Sequence, residues 1–242
     1  MKNLLVVTGF LLLFFSSCQK ENITDLSGGV TSTDNAAAAT HTLVLQPGPK
    51  DGDDLWMKNW IRHKFYADTC DTKVALIKGL TYPLSGSLVY TRSVIKFDGL
   101  SQIPAGAIIV SATLYLYGPT PKSKDVRVHL PMGNTSYPGS NKGDNTCYLQ
   151  RITNSWNVNT ISWNNPPSTT TDNQYVLVAS NKQWKYDVAA DVTKLVKAMI
   201  KPGADNGFLL RLQNEAAPRA MGFLSSNSPE AERRPKLVIT YN

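Results

Sequence analysis

The sequence predicts an all-β fold, a jelly-roll-like β-sandwich with one short helix, set behind a signal peptide and a flexible tether. Three observations predict it. Most of the chain after residue 40 alternates apolar and polar residues with a period of two, as half-buried strands do. Clusters of Gly and Pro break these runs at short intervals: Pro104-Ala105-Gly106, Gly118-Pro119, Pro138-Gly139, Pro166-Pro167 and Pro202-Gly203. A single stretch repeats its apolar residues at helical spacing. The chain has 242 residues, 42% of them hydrophobic, enough for one large sandwich to bury a core without metals or staples.

The first element is not part of that globule. Lys2 is followed by an almost unbroken apolar run, Leu4 to Phe15, and then by Ser16, Ser17 and Cys18. A basic start, a short apolar core and small residues before a cysteine form a bacterial lipoprotein signal, so 1–17 is expected to be removed and Cys18 to be lipidated. The apolar run is short for a bilayer span. From Gln19 to about Thr40 the chain is Ser, Thr, Asn, Asp, Gly and Ala with almost no large apolar side chain. Such a composition cannot offset its ordering entropy, so 18–40 is expected to be a lipidated cysteine and tether. Gln19-Lys20-Glu21 after the cysteine favours display at the cell surface. The folded domain is expected over 41–242.

Within it, Val89, Thr91, Ser93, Ile95 and Phe97 share one face of a strand, with Arg92 and Lys96 on the other. Ile108, Val110, Ala112, Leu114 and Leu116 form the apolar face of the next. Val126, Val128 and Leu130 alternate with Arg127 and His129. Phe208, Leu210 and Leu212 mark another strand, as do Leu237, Ile239 and Tyr241. Val188, Val192, Leu195, Val196 and Met199 have helical spacing, with Asp187 or Asp191 as cap and Pro202-Gly203 as stop. Cys70 and Cys147 remain after Cys18; in an exported protein they suggest one disulfide, although two separate thiols fit the sequence as well.

No catalytic motif stands out. His41, His63 and His129 lack zinc spacing, and there is no nucleophile elbow, phosphate loop or dinucleotide fingerprint. Glu215, Glu230 and Glu232 could supply a glycosidase pair only if folding set them at the right separation. Asp51, Asp53 and Asp54 form an oxygen-rich turn that suits either a plain turn or a structural calcium ion. No other cofactor or metal is expected.

Binding has more support. Trp56, Lys58, Trp60, Arg62 and Lys64 lie on one side of an extended segment rich in aromatic and basic residues. Aromatic faces stack on the C–H faces of sugars, and Lys and Arg pair with carboxylates or sulfates. Trp56 and Trp60 fit core positions equally well. Arg92 and Arg127 would extend a basic strip if their strands pair. The net charge of +7 favours an anionic partner; no nucleic-acid motif is present.

Several stretches, taken in order, resemble one family. They are Ile95-Lys96-Phe97-Asp98, Ile103-Pro104-Ala105-Gly106-Ala107, Ser111 to Tyr117, Ser155-Trp156, Ile161 to Pro167, Asp191-Val192-Thr193, Asn206 to Leu210, Phe223 to Ser226 and Arg234 to Tyr241. Together they resemble the DNRLRE domain, carbohydrate-binding module family 96, from about Thr42 to the C-terminus. The resemblance implies a jelly-roll sandwich that binds carbohydrate, acidic polysaccharides among them, and assigns Trp156 and Trp163 a mainly structural role. Two features depart from the family: Asn227-Ser228-Pro229 precede Glu230 where an acidic residue normally comes sooner, and Leu55 to Asp71 has its own Trp, Lys and His content. The sequence thus points to a non-catalytic, lipid-anchored carbohydrate-binding protein of the outer membrane. A surface adhesin that binds protein is the alternative, and a polysaccharide-degrading enzyme a third.

Overall fold

The computed structural model describes residues 39–58, 69–71, 76–84, 87–123, 145–216 and 218–242, by backbone alone at 56, 69–71, 76–84 and 87. Contacts group the chain into Met1–Ala37 and Ala38–Asn242. The expected leader over 1–17, Cys18 and most of the expected tether over 18–40 lie outside the described residues, as do Trp60, Arg62, Lys64, Arg127 and His129.

Twelve strands are described: β1 His41–Leu45, β2 Asp53–Lys58, β3 Thr69–Asp71, β4 Leu76–Leu84, β5 Ser87–Lys96, β6 Ile109–Leu116, β7 Cys147–Ile152, β8 Thr169–Leu177, β9 Val188–Asp191, β10 Phe208–Leu212, β11 Arg219–Leu224 and β12 Lys236–Tyr241. One α-helix, α1, spans Thr193–Met199. The smaller sheet has the order β1-β12-β6-β9, and the larger contains the path β11-β4-β5-β10-β7-β8. Numbered by themselves in chain order, β1, β5, β6, β7, β8, β9, β10 and β12 form sheets 1-8-3-6 and 2-7-4-5, the strand order of a jelly roll. The described pairings are antiparallel, so the fold is the all-β sandwich with one short helix that the alternation predicts.

The main core lies between the sheets. Ala112, Leu114, Leu116, Leu237 and Ile239 from the smaller sheet meet Ile95, Leu149, Phe208, Leu210, Leu212 and Phe223 from the larger. Gly207 enters β10 at φ 78°, and a Cβ there would collide with the Ile95 carbonyl oxygen, so the close approach of β10 to β5 demands glycine. A second, smaller core lies on the outer side of the larger sheet. Leu55, Met57, Val94, Ile152, Ile161 and Leu209 cluster there, with Trp156, Val158 and Trp163 packed against them. The segment between β7 and β8 therefore folds over that face. Trp156 Nε1 pins it by donating to the Asn206 carbonyl oxygen at 2.7 Å, the structural role expected of this residue.

The structure corrects three expectations. First, Ile108 and Val110 are 68% and 51% exposed, while Ile109 is buried. The pairing passes from Thr240↔Ser111 to Tyr241↔Ile109, leaving Val110 without a partner row. This bulge reverses the facing of the strand's first residues. Second, Val188 belongs to β9, not to the helix, which buries only Leu195, Val196 and Met199. Asp191 accepts the Thr193 N–H at 3.0 Å, whereas Asp187 accepts the Gly118 N–H and pairs with Arg233.

Third, Cys70 and Cys147 do not bridge. Residues 93–95 of β5 pair with both β2 and β10, which must therefore flank β5 on opposite edges. Cys70 in β3 lies beyond β2, and Cys147 in β7 lies beyond β10. Four strand spacings separate them, about 19 Å, against the 7 Å or so that a disulfide spans. The Cys147 thiol donates to the Asn145 carbonyl oxygen at 3.6 Å. The acidic turn is held by hydrogen bonds within the chain. Asp51 accepts the Gly48 N–H at 2.8 Å, and buried Asp54 accepts both the backbone N–H and the hydroxyl of Ser226. Burial raises the Asp54 pKa above the ordinary carboxylate range despite these donors. Among the described residues no group of three His, Cys, Asp or Glu could hold a metal ion.

Candidate carbohydrate-binding face

Alternation along β5 turns Tyr90, Arg92, Val94 and Lys96 away from the main core, because Val89, Thr91, Ser93 and Ile95 are all buried inward. Val94 is covered by the second core. Tyr90 and Arg92, toward the start of the strand, remain partly open. The Arg92 guanidinium lies 4.8 Å from the centre of the Trp163 ring, and Tyr90 stacks on the same indole at 6.0 Å and 16°. Trp163 comes from the segment that folds over the sheet, so the second core fixes its position.

The neighbouring strands extend this arrangement. Leu210 pairs with Ser93, which brings Arg211, one residue on, beside Arg92. Arg211 pairs with Tyr148 of β7, and Tyr148 with Val176 of β8. The Arg211 guanidinium lies 5.7 Å from the Tyr148 ring centre. Arg92, Arg211, Tyr148 and Val176 thus form one row across four strands. From Arg92 to Tyr148 it covers two strand spacings, about 10 Å.

Two adjacent arginines would repel each other, and Glu215, in the loop after β10, closes over them. Arg92 donates Nε–H to Glu215 Oε1 at 2.9 Å and Nη2–H to Oε2 at 2.8 Å. Arg211 Nη1 is 4.0 Å from the same carboxylate. The fork-to-fork pair is the strong form of an arginine–carboxylate bond. The Arg92 and Glu215 side chains are 28% and 18% exposed, so the pair is neither deeply buried nor fully solvated.

Lower on the same strand, Lys96 pairs with Asp98 at 2.9 Å. Asp205 lies close by, its pKa pushed up to about 6 by burial, with Lys96 opposing that shift and Asp98 adding to it. Of the two basic residues expected on this strand, each is therefore matched by a carboxylate.

The residues singled out from sequence fall in different places. Trp56 of β2 pairs with Ser93 and Lys58 with Thr91, whereas Arg92 pairs with Met57. Lys58 and Arg92 thus take opposite faces of the sheet, and the register does not unite them in one strip. Trp60, Arg62, Lys64 and Arg127 lie outside the described residues. Glu215 is engaged by arginine, as is Glu230, which accepts the Ser123 hydroxyl at 2.6 Å and lies 3.7 Å from Arg233 Nε. Sequence reasoning missed Tyr90 and Tyr148. The available signal was parity, since Tyr90 shares its strand face with Arg92.

No curated protein matches this chain. The family model for carbohydrate-binding module family 96 matches residues 86–241. That span begins later than the resemblance from about Thr42, so the Trp56–Lys64 segment precedes it. It contains every residue of the aromatic and arginine face: Tyr90, Arg92, Tyr148, Trp163, Arg211 and Glu215. With the matched span running from β5 through β12, the chain belongs to carbohydrate-binding module family 96.

Proposed function

We propose that this chain is an exported, lipid-anchored protein that holds an anionic polysaccharide, without covalent chemistry, on the outer face of its larger sheet. The observation that carries the proposal is the Tyr90–Trp163–Arg92 stack continuing into Arg211 and Tyr148. Partly open aromatic rings offer stacking surfaces to sugar C–H faces, and guanidinium groups match carboxylates and sulfates. The engagement of Glu215 and Glu230 by arginine supports binding in preference to hydrolysis. Lipidation at Cys18 would tether the domain to the outer membrane, and Gln19-Lys20-Glu21 favours its outer face. On this view the membrane is touched only through the lipid, nucleic acid is not a partner, and folding needs no cofactor.

The test uses the chain from residue 18 with Cys18→Ser, run in gels containing alginate, pectin, a sulfated glycan or a neutral glucan, at low and high salt. Retardation by an acidic glycan is expected to survive moderate salt and to weaken about tenfold in Trp163→Ala, the upper value of one aromatic contact. Retardation by every polyanion that vanishes in modest salt would reduce the effect to charge attraction alone. No retardation by any glycan would contradict the proposal and favour a protein partner.

A further inference from the structure

We propose that Glu215 is a built-in competitor that occupies the arginine site until a multivalent uronate chain displaces it. The inference rests on the binding face described above and concerns how that face chooses its ligand. Glu215 Oε1 and Oε2 take the Nε–H and Nη2–H of Arg92 at 2.9 and 2.8 Å, the two donors that a sugar carboxylate would use in the same fork geometry. The second oxygen also lies 4.0 Å from Arg211. One carboxylate therefore covers the two cations that the row offers.

Glu215 is well placed to yield. It sits on a loop, not a strand, in a turn where Asn214 Oδ1 accepts the Ala216 N–H at 2.8 Å. Its bonds to the rest of the face are those to arginine, and both partners are partly solvated, so water meets each group as the fork opens, which lowers the cost of parting even this pair. The tether still gives it a high effective concentration at Arg92, so a single uronic acid in solution competes poorly. A polymer adds what a monomer lacks: further rings to stack along Trp163, Tyr90 and Tyr148, and further carboxylates to rebind. The pair thus discriminates against monomers and small anions, and after displacement Arg92 and Arg211 both face the chain.

The test compares wild type with Glu215→Gln, both from residue 18 with Cys18→Ser. The ligands are galacturonic acid, a galacturonate hexamer and its methyl ester, and the readouts are calorimetry and the Arg92 Nε–H resonance. Glu215→Gln keeps the size of the side chain and removes its charge. The variant is expected to bind the hexamer about fivefold tighter, a ratio typical of one partly exposed ion pair, to gain affinity for the monomer, and to bind the ester unchanged. In wild type the Arg92 resonance should move with the hexamer and not with the ester. Hexamer binding that Trp163→Ala weakens but Glu215→Gln leaves equal or weaker would overturn the competitor role and leave the binding face intact. Absence of hexamer and ester binding in both proteins, with a motionless Arg92 resonance, would overturn the face itself and the competitor role with it.

Discussion

The two sheets present different outer faces. That of the smaller sheet carries Val44, Val238, Thr240, Ser111, Thr113, Tyr115 and Lys236 in its pairing rows, with exposed Val110 at the bulge and the Lys236 ammonium 4.8 Å from the Tyr115 ring centre. Apart from the Tyr115–Lys236 pair, these are short side chains in ladders, and among the described residues no segment bearing tryptophans packs over them. The outer face of the larger sheet carries the second core at one part and, beside it, Tyr90 and Arg92 against Trp163 and Arg211 against Tyr148. Burial explains why the faces differ. A tryptophan fixed by a small core beneath it presents its ring at little entropic cost beside Arg92, whereas the smaller sheet offers one tyrosine and one lysine among short side chains.

The comparison can be broken first at the core. Phe208 is 1% exposed and packs between the sheets. Phe208→Ala is expected to cost about 3 to 5 kcal/mol, seen as an earlier midpoint in denaturant. A cost near that of a surface substitution would mean that the sheets do not pack as described.

A smaller effect concerns the acidic end of the larger sheet's face. Burial raises the Asp205 pKa from 3.8 to about 6, so the folded state holds that proton more tightly than the unfolded chain. Its stabilising contribution is complete below pH 4 or so and is lost as pH rises through about 6. Asp205→Asn should flatten that decline in denaturation midpoints taken across this range. An unchanged slope would assign the decline to other groups.

The smallest effect is expected on the opposite face. Val110→Thr removes apolar surface that is already half exposed, and stability should move by no more than about 0.5 kcal/mol with glycan retardation untouched. A large loss would show that this valine is covered in solution.

The same two faces show what the sequence could reveal. Alternation identified the inward residues of β5, β10 and β12 because burial is imposed there every second residue. It failed at β6, where one unpaired residue at the bulge reversed the phase of Ile108 and Val110, and a period of two contains no sign of an insertion in the pairing. Val188 extended the helical pattern because its spacing to Val192 suits a helix turn, yet pairing with Leu116 made it a strand residue. The site was legible only in part. Arg92 was visible by parity, but its union with Trp163 and Glu215 depends on chain segments 71 and 123 residues away, and only the folded loops bring those together. The disulfide failed for the same reason, since cysteine count says nothing of strand order.

Glycan is proposed to bind the outer face of the larger sheet. The most direct test is to titrate the isotopically labelled chain with a galacturonate hexamer and map the shifted amide and side-chain resonances. Shifts gathered at Tyr90, Arg92, Tyr148, Trp163 and Arg211, with Val44, Val110 and Val238 unmoved, are the predicted result. Shifts centred on the valine and threonine ladders of the smaller sheet would contradict it.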